Sequence, residues 1–364
     1  MAVLWILAVI VGFVFLVKGA DFFVDGAAGI AAKLKVSSFI IGLTIVALGT
    51  SAPEAAVSVI GGIKAAFGDS EAASVIMGNV LGSNMINILL ILGISALVAK
   101  IPVEKSSRCF EIPFLIIVSL IFILLGDIGN GFTWYDGLIL IVLYALFMAY
   151  TIIMAKRTQP ALLEADISSA QTAEKPQRTG FFGWLDRVGA KYEELKDKTW
   201  FLIVITIVGL GLVVLGAQLV VDGATYIAQD LLKIPTSIVA ITVVAFGTSL
   251  PELVTSVSAA KKGDMGIATG NIIGSNIANL LLIAGLGFVS SAGTGVPFDV
   301  SSLADGYMSI IAAAVLLAFS FAKENKLGKI AGITFLALLV AYYAYRICAT
   351  LGVCPMIEIP TLFD

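Results

Sequence analysis

Apolar residues gather into ten stretches, each long enough to cross a bilayer core, which takes about 20 helical residues. They cover roughly 2–31, 37–67, 71–98, 109–128, 134–155, 199–231, 237–260, 265–292, 305–322 and 328–350. This pattern predicts an all-α membrane protein of ten transmembrane helices. The first and sixth stretches run long and have polar far ends, which predicts strong tilt or an interfacial extension. The first begins without a basic region and reads as a spanning helix, not a cleaved leader. Residues 156–198 are charged and mixed in sign, with KYEELKDK at 191–198, and read as a soluble linker.

The ten stretches divide into two sets of five that resemble each other. VKGADFFVDGAAGIAAKLK at 17–35 resembles VLGAQLVVDGATYIAQDLLK at 214–233. Leu43–Glu54 matches Ile241–Glu252 at an offset of 198, and GNVLGSNMIN at 78–87 matches GNIIGSNIAN at 270–279 at an offset of 192. Five is odd, so the second repeat is expected to be inverted relative to the first. The expected parts are a first five-helix repeat (1–155), a linker (156–198) and a second five-helix repeat (199–364).

Charge tests that arrangement. With both termini placed outside, eighteen of the 22 lysines and arginines fall on inside segments. Lys64, Lys233 and Arg346 fall outside, and Lys18 lies within the first span. Without the linker the ratio is still ten to three, as the positive-inside rule requires. The expected location is the cell (inner) membrane, multi-pass, with the linker cytoplasmic.

Composition narrows the chemistry. The chain is 59% hydrophobic and only 13% charged, against about 25% charged for a soluble domain. A net charge of −3 without a basic tract argues against nucleic acid. There is no histidine, and Cys109, Cys348 and Cys354 form no CxxC pair, so zinc is not expected. Cys348 and Cys354 would face outside, where they could pair. Any proton chemistry would use carboxylates. No cofactor and no obligate protein partner is implied; the lipid bilayer is the expected surrounding.

Two repeated motifs carry the candidate chemistry. ALGTSAPE at 47–54 returns as AFGTSLPE at 245–252, placing Glu54 and Glu252 inside apolar spans. Carboxylates at membrane depth usually mark an ion or substrate path. Pro53 removes an amide hydrogen from its helix, and Pro251 does the same in the second copy, so each helix should kink and free backbone carbonyls. Gly49 and Gly247 add flexibility. Thr50 and Glu54, and Ala47 and Ser51, are four apart and share a broad helix face, as do Thr248 with Glu252 and Ala245 with Ser249. Asn79, Ser83 and Asn87 form a polar stripe that Asn271, Ser275 and Asn279 repeat. Carboxylate, hydroxyl, amide and carbonyl oxygens suit Na⁺, Ca²⁺, Mg²⁺ or Mn²⁺. Two crowded carboxylates need one divalent cation, two monovalent ions or two protons to neutralise them. An empty, doubly charged site is unfavourable in transit, which is a physical basis for obligate exchange.

Other polar residues read differently. Asn84 and Asn276 lie off the stripe and suit helix–helix hydrogen bonds as readily as ligation. Asp25 and Asp222 read as capping or bending the long helices, and Lys18 as a local ion-pair partner of Asp21 and Asp25.

At GTSAPE (49–54), GTSLPE (247–252) and the two GN…GSN strings, the chain resembles the cation/calcium exchanger superfamily, specifically its prokaryotic sodium/calcium exchanger branch. The resemblance implies a Na⁺/Ca²⁺ antiporter whose long first and sixth helices slide across a core of the other eight. It implies Ca²⁺ ligation by Glu54, Glu252, Thr50 and Thr248, the threonines partly through backbone carbonyls. It implies Na⁺ sites from Ser51, Ser249, Ser83 and Ser275 with the carbonyls of Ala47 and Ala245, and places Asn87 and Asn279 between the glutamates. Some members have aspartate at the position of Asn279; its absence argues against potassium co-transport. The alternative is a H⁺-driven antiporter of Ca²⁺ or another divalent cation. A channel fits less well, because one chain contains its own inverted pair. A hydrolase fits least, because the acids sit among hydroxyls and kinked backbone, so no enzyme is expected.

Overall fold

The computed structural model describes residues 2–129, 131–162, 192, 194–227 and 245–350. In chain order its helices are α1 (Ala2–Leu34), α2 (Ser38–Thr50), α3 (Ala52–Ala66), α4 (Ala72–Val98), α5 (Ser107–Ile128) and α6 (Trp134–Leu162). They continue with α7 (Thr199–Tyr226), α8 (Ala245–Thr248), α9 (Leu250–Lys262), α10 (Met265–Ser290), α11 (Val300–Ser320) and α12 (Lys329–Thr350). Among the described residues, eight helices are long and apolar enough to span a membrane, and the bent pair α2–α3 makes a ninth. Part of the tenth expected span, 237–260, lies outside the described residues.

The break between α2 and α3 has the expected cause. Pro53 cannot donate to the Gly49 carbonyl, and the chain turns by 47° about Ser51 (φ −82°, ψ 10°) before α3 begins. Ser249 repeats that geometry (φ −86°, ψ 3°) between α8 and α9, where Pro251 stands in the first turn. Gly263, at φ 87°, ends α9 in the left-handed conformation that glycine adopts without strain.

Helices α1 and α7 pack along each other and are antiparallel. A Cβ at Gly12 would fall 2.8 Å from the Gly216 carbonyl oxygen, and one at Gly19 would fall 2.8 Å from that of Gly209. Gly209 and Gly216 are themselves the repeat equivalents of Gly12 and Gly19. Each glycine thus meets the partner of the other, which is the signature of an internal two-fold axis relating inverted repeats.

Two short ladders repeat that symmetry. β1 (Ile101–Pro102) pairs with β4 (Lys326–Leu327), and β2 (Gly131–Phe132) pairs with β3 (Val296–Pro297), both antiparallel. Each joins one repeat to the other. Paired strands lie on the same side of a membrane, so an even number of crossings separates β1 from β4. Between them stand α5, α6, α7, α10 and α11 as unbroken spans. The ten expected spans place one more between α7 and α10, which gives that even number.

The buried centre is formed by α4 and α10, where about four-fifths of the apolar window is inside the fold (78% and 83%). Around it Phe122, Phe132 and Phe288 stack in the apolar core. The outer helices present Val142, Leu146, Ile207, Ile333 and Val340 outward, an apolar surface suited to lipid.

Candidate cation site at the repeat interface

Glu54 and Glu252 each sit in the first turn of a half-helix, α3 and α9, directly after its break. Both are 1% exposed. The positive end of the half-helix dipole favours a carboxylate there. The break that frees backbone oxygens therefore also positions the acid.

The hydroxyls around each carboxylate come from both repeats. Ser51 Oγ donates to Glu252 Oε1 at 2.9 Å and lies 3.0 Å from Ser275 Oγ. Thr50 also stands at the Glu252 carboxylate. Ser83 and Thr248 stand at the Glu54 carboxylate, and Ser249 Oγ lies 3.4 Å from Ser83 Oγ. Ser275 reaches the carbonyl oxygen of Ala47 at 3.5 Å. Ala245, its repeat equivalent, opens α8. Neither acid is furnished by its own repeat alone.

The asparagines fall into three groups. Asn84 and Asn276 each donate to the other's main-chain carbonyl, at 3.1 and 3.2 Å, where α4 crosses α10. Asn79 donates to the Glu54 carbonyl oxygen (2.9 Å) and to Ser58 (3.0 Å), while Asn271 donates to Ser256 (2.9 Å) and accepts from Thr50 (3.0 Å). These four are bound up in holding helices together. Asn87 and Asn279 are different. Their amide nitrogens donate to the Asn276 and Asn84 side-chain oxygens, at 2.9 and 3.0 Å. That leaves their own Oδ1 atoms aimed elsewhere.

Four of the buried side-chain oxygens without a hydrogen-bond partner come in matched pairs: Glu54 Oε2 with Glu252 Oε2, and Asn87 Oδ1 with Asn279 Oδ1. A buried acceptor without a donor costs about 1–3 kcal/mol, more if charged. Four such atoms, related by the internal axis, are of the kind a hard cation takes as ligands. Among the described residues no group of three or more cysteine or acidic side chains gathers, so no third acid joins the two glutamates. Hydroxyls of Thr50, Ser51, Ser83, Thr248, Ser249 and Ser275 and the Ala47 carbonyl gather around the two glutamates, while Asn79 and Asn271 make contacts between helices.

Sequence reading misses two features of this region. The helices pass through π-helical turns at Gly42–Val46, Asn87–Leu92 and Asn279–Ile283. Two of these begin at the central asparagines, where a widened turn loosens the carbonyl ladder. The other concerns Asp21 and Asp25. Lys18 is exposed, and the partner of both acids is Lys262. Asp25 lies inside α1, not at its cap, and is held by ion pairs from outside the helix. The Cys348–Cys354 pairing falls outside the described residues.

The two flanks of the site are unlike. On α9, Leu250 is buried beneath Leu16 and Ala20 of α1, and Ala259 and Ala260 pack with Phe23, Val24, Ala27 and Ala31. On α3 the equivalents of Leu250 and Ser258 are open, Ala52 being exposed and Ile60 53% exposed against 9% for Ser258, while Gly61 and Gly62, the equivalents of Ala259 and Ala260, are buried as well.

An inverted-repeat bundle enclosing two acids among neutral oxygens defines a membrane carrier for cations. The model of the sodium/calcium exchanger protein family matches residues 4–153 and 201–348, one segment in each repeat. The chain belongs to that family. It is 35% identical over 336 residues to an uncharacterised membrane protein of Methanocaldococcus jannaschii, covering 91% of this chain and 94% of that one. It is 32% identical over 292 residues to the sodium/calcium exchanger MaX1 of Methanosarcina acetivorans, covering 77% and 81%. Among solved structures, the sodium-calcium exchanger NCX_Mj superposes with a TM-score of 0.75 at 31% identity, covering 95% of this chain and all of that one.

Proposed function

We propose that this protein is a secondary antiporter exchanging Na⁺ for Ca²⁺ by alternating access, with one site shared between the repeats. The observation that carries the reading is the two-by-two set of unpartnered oxygens on Glu54, Glu252, Asn87 and Asn279. Family membership and the likeness to named sodium/calcium exchangers support it. Ca²⁺ is held by Glu54, Glu252, Thr50 and Thr248. Na⁺ is held by Ser51, Ser249, Ser83 and Ser275 with the carbonyls of Ala47 and Ala245, while Asn87 and Asn279 bridge the centre. No bond is made or broken in this cycle, so the protein is a carrier, not an enzyme.

The working parts are the repeats 1–155 and 199–364, with 156–198 as a linker. Helices α1 and α7 move as a pair across the rest, uncovering the site to one face at a time. The site lies in a cell (inner) membrane, with both termini outside and the Lys262 face cytoplasmic, as the charge bias supports. The covered flank at α9 and the open flank at α3 then correspond to access from outside.

The test is radiolabelled Ca²⁺ flux into proteoliposomes. Flux should follow an imposed Na⁺ gradient and vanish in Glu54→Ala and Glu252→Ala protein that remains folded. Full flux in both variants refutes the site. Flux that follows a pH gradient and ignores Na⁺ makes the driver H⁺ instead.

A further inference from the structure

Around Lys262, α1 is tied to the core by a cluster of charges that the other face lacks among the described residues. Lys262 Nζ lies 2.8 Å from Asp25 Oδ1 and 3.6 Å from Asp21 Oδ1, and donates to the Asp21 carbonyl oxygen at 2.6 Å. Ser258 Oγ donates to Asp21 Oδ1 at 2.7 Å. Residues beside α7 join in. Lys196 pairs with the second Asp25 oxygen at 3.0 Å, and the Tyr192 hydroxyl donates to it at 3.1 Å. Further along, Lys33 donates to the Asp197 carbonyl oxygen at 2.6 Å.

The internal axis supplies a control. The equivalents of Asp21, Asp25, Ser258 and Lys262 are Gln218, Asp222, Ile60 and Lys64. Gln218 donates to Asp222 at 2.7 Å along its own helix, and Ile60 and Lys64 are exposed. The cluster therefore sits on the covered flank, across a boundary between α1 and α9 that must part for that flank to open. The side chains of Asp25, Lys196 and Lys262 are about a quarter exposed or less and that of Asp21 is 35% exposed, which shields the pairs from salt more than fully exposed ones.

We propose that Asp21, Asp25, Ser258 and Lys262, strapped by Tyr192 and Lys196 of the linker, form a latch that holds the Lys262 face closed. The latch biases the resting equilibrium toward access from the Lys64 face. It also gives the linker a role, because a change of charge near Lys196 acts directly on Asp25.

The proposal rests on α1 and α7 being the moving pair, so its test reads accessibility and not transport. Leu250, 6% exposed in a cluster with Leu16 and Ala20 of α1 while its equivalent Ala52 is exposed, is replaced by cysteine in a chain whose three native cysteines are serines. Labelling by a membrane-impermeant maleimide is timed in right-side-out and in inside-out vesicles, without Ca²⁺. Lys262→Ala and Asp25→Asn should each speed labelling about five- to tenfold, as loss of a partly shielded charge network allows. Lys262→Arg, which keeps the positive charge opposite Asp21 and Asp25, should label nearly as slowly as the parent. Unchanged labelling in both Lys262→Ala and Asp25→Asn overturns the latch. So does labelling of Lys262→Arg as fast as that of Lys262→Ala, since the charge would then not be what closes this face. A change in labelling can be read even where Na⁺/Ca²⁺ flux is absent, so failure of the latch and failure of the exchange reading are separable.

Discussion

The two flanks of the site share one motif and differ in their covers. Helices α3 and α9 carry the same sequence of break, proline and glutamate, and each glutamate is equally buried. Beyond the first turn they diverge. The α9 face lies under α1 with Lys262 paired to two aspartates, while the α3 face ends at an exposed Ile60 and an exposed Lys64. The centre has kept its symmetry because both halves must serve one cation. The flanks are free of that demand, and their inequality shows how one sequence repeated twice gives two unequal gates.

The largest effect is expected where symmetry is strictest. Replacing Glu54 or Glu252 by Gln should weaken Ca²⁺ binding by more than about 30-fold, the lower end of what losing one buried charged partner costs. The two losses should be similar in size, as titration of purified protein would show. A clear inequality would mean that the acids belong to separate sites.

Next come the central amides. Asn87→Asp and Asn279→Asp each add a carboxylate beside an unpartnered oxygen. Both should raise the pH needed for half-maximal Ca²⁺ uptake, because a third acid among two others retains a proton more readily. Equal shifts sharpen the internal axis; a shift in one variant alone breaks it.

Asn84→Ala or Asn276→Ala should act on stability more than on binding. Each removes two interhelical hydrogen bonds, one donated and one accepted, and so leaves the Asn279 or Asn87 amide without its acceptor. The expected loss is about 1–2 kcal/mol, the range for hydrogen bonds between membrane helices. Thermal unfolding in detergent would measure it.

The smallest effect falls on the open flank. Lys64→Ala should change the accessibility of either face by less than about twofold, as for an exposed, unshielded charge. Its equivalent Lys262→Ala moves the opposite face strongly, and the contrast is the sharpest reading of the difference between the flanks.

Much of this was legible in the sequence, for reasons that can be named. A proline four residues after Gly49 breaks a helix wherever it stands, so the turn at Ser51 needed no tertiary information. The offset of 198 between the glutamates, with an odd number of spans in each repeat, already implied one site seen from two directions. The π-helical turns at Asn87 and Asn279 were not legible, because a slip of the ladder is set by packing and no residue type announces it. Nor was the Lys262 cluster. Lys18 lies three residues from Asp21, but it projects from the exposed face of α1, and the lysine that pairs is 241 residues away. The division of the asparagines was half legible. The stripe identified Asn87 and Asn279, but it could not show that Asn79 and Asn271 turn toward Ser58 and Ser256.

The central claim is a single cation site built jointly by both repeats, and titration of purified protein with Ca²⁺ tests it most directly. The account predicts one Ca²⁺ per chain, displaced by Na⁺ and lost equally in Glu54→Gln and Glu252→Gln. Two independent Ca²⁺ sites, each abolished by one substitution and untouched by the other, would contradict it.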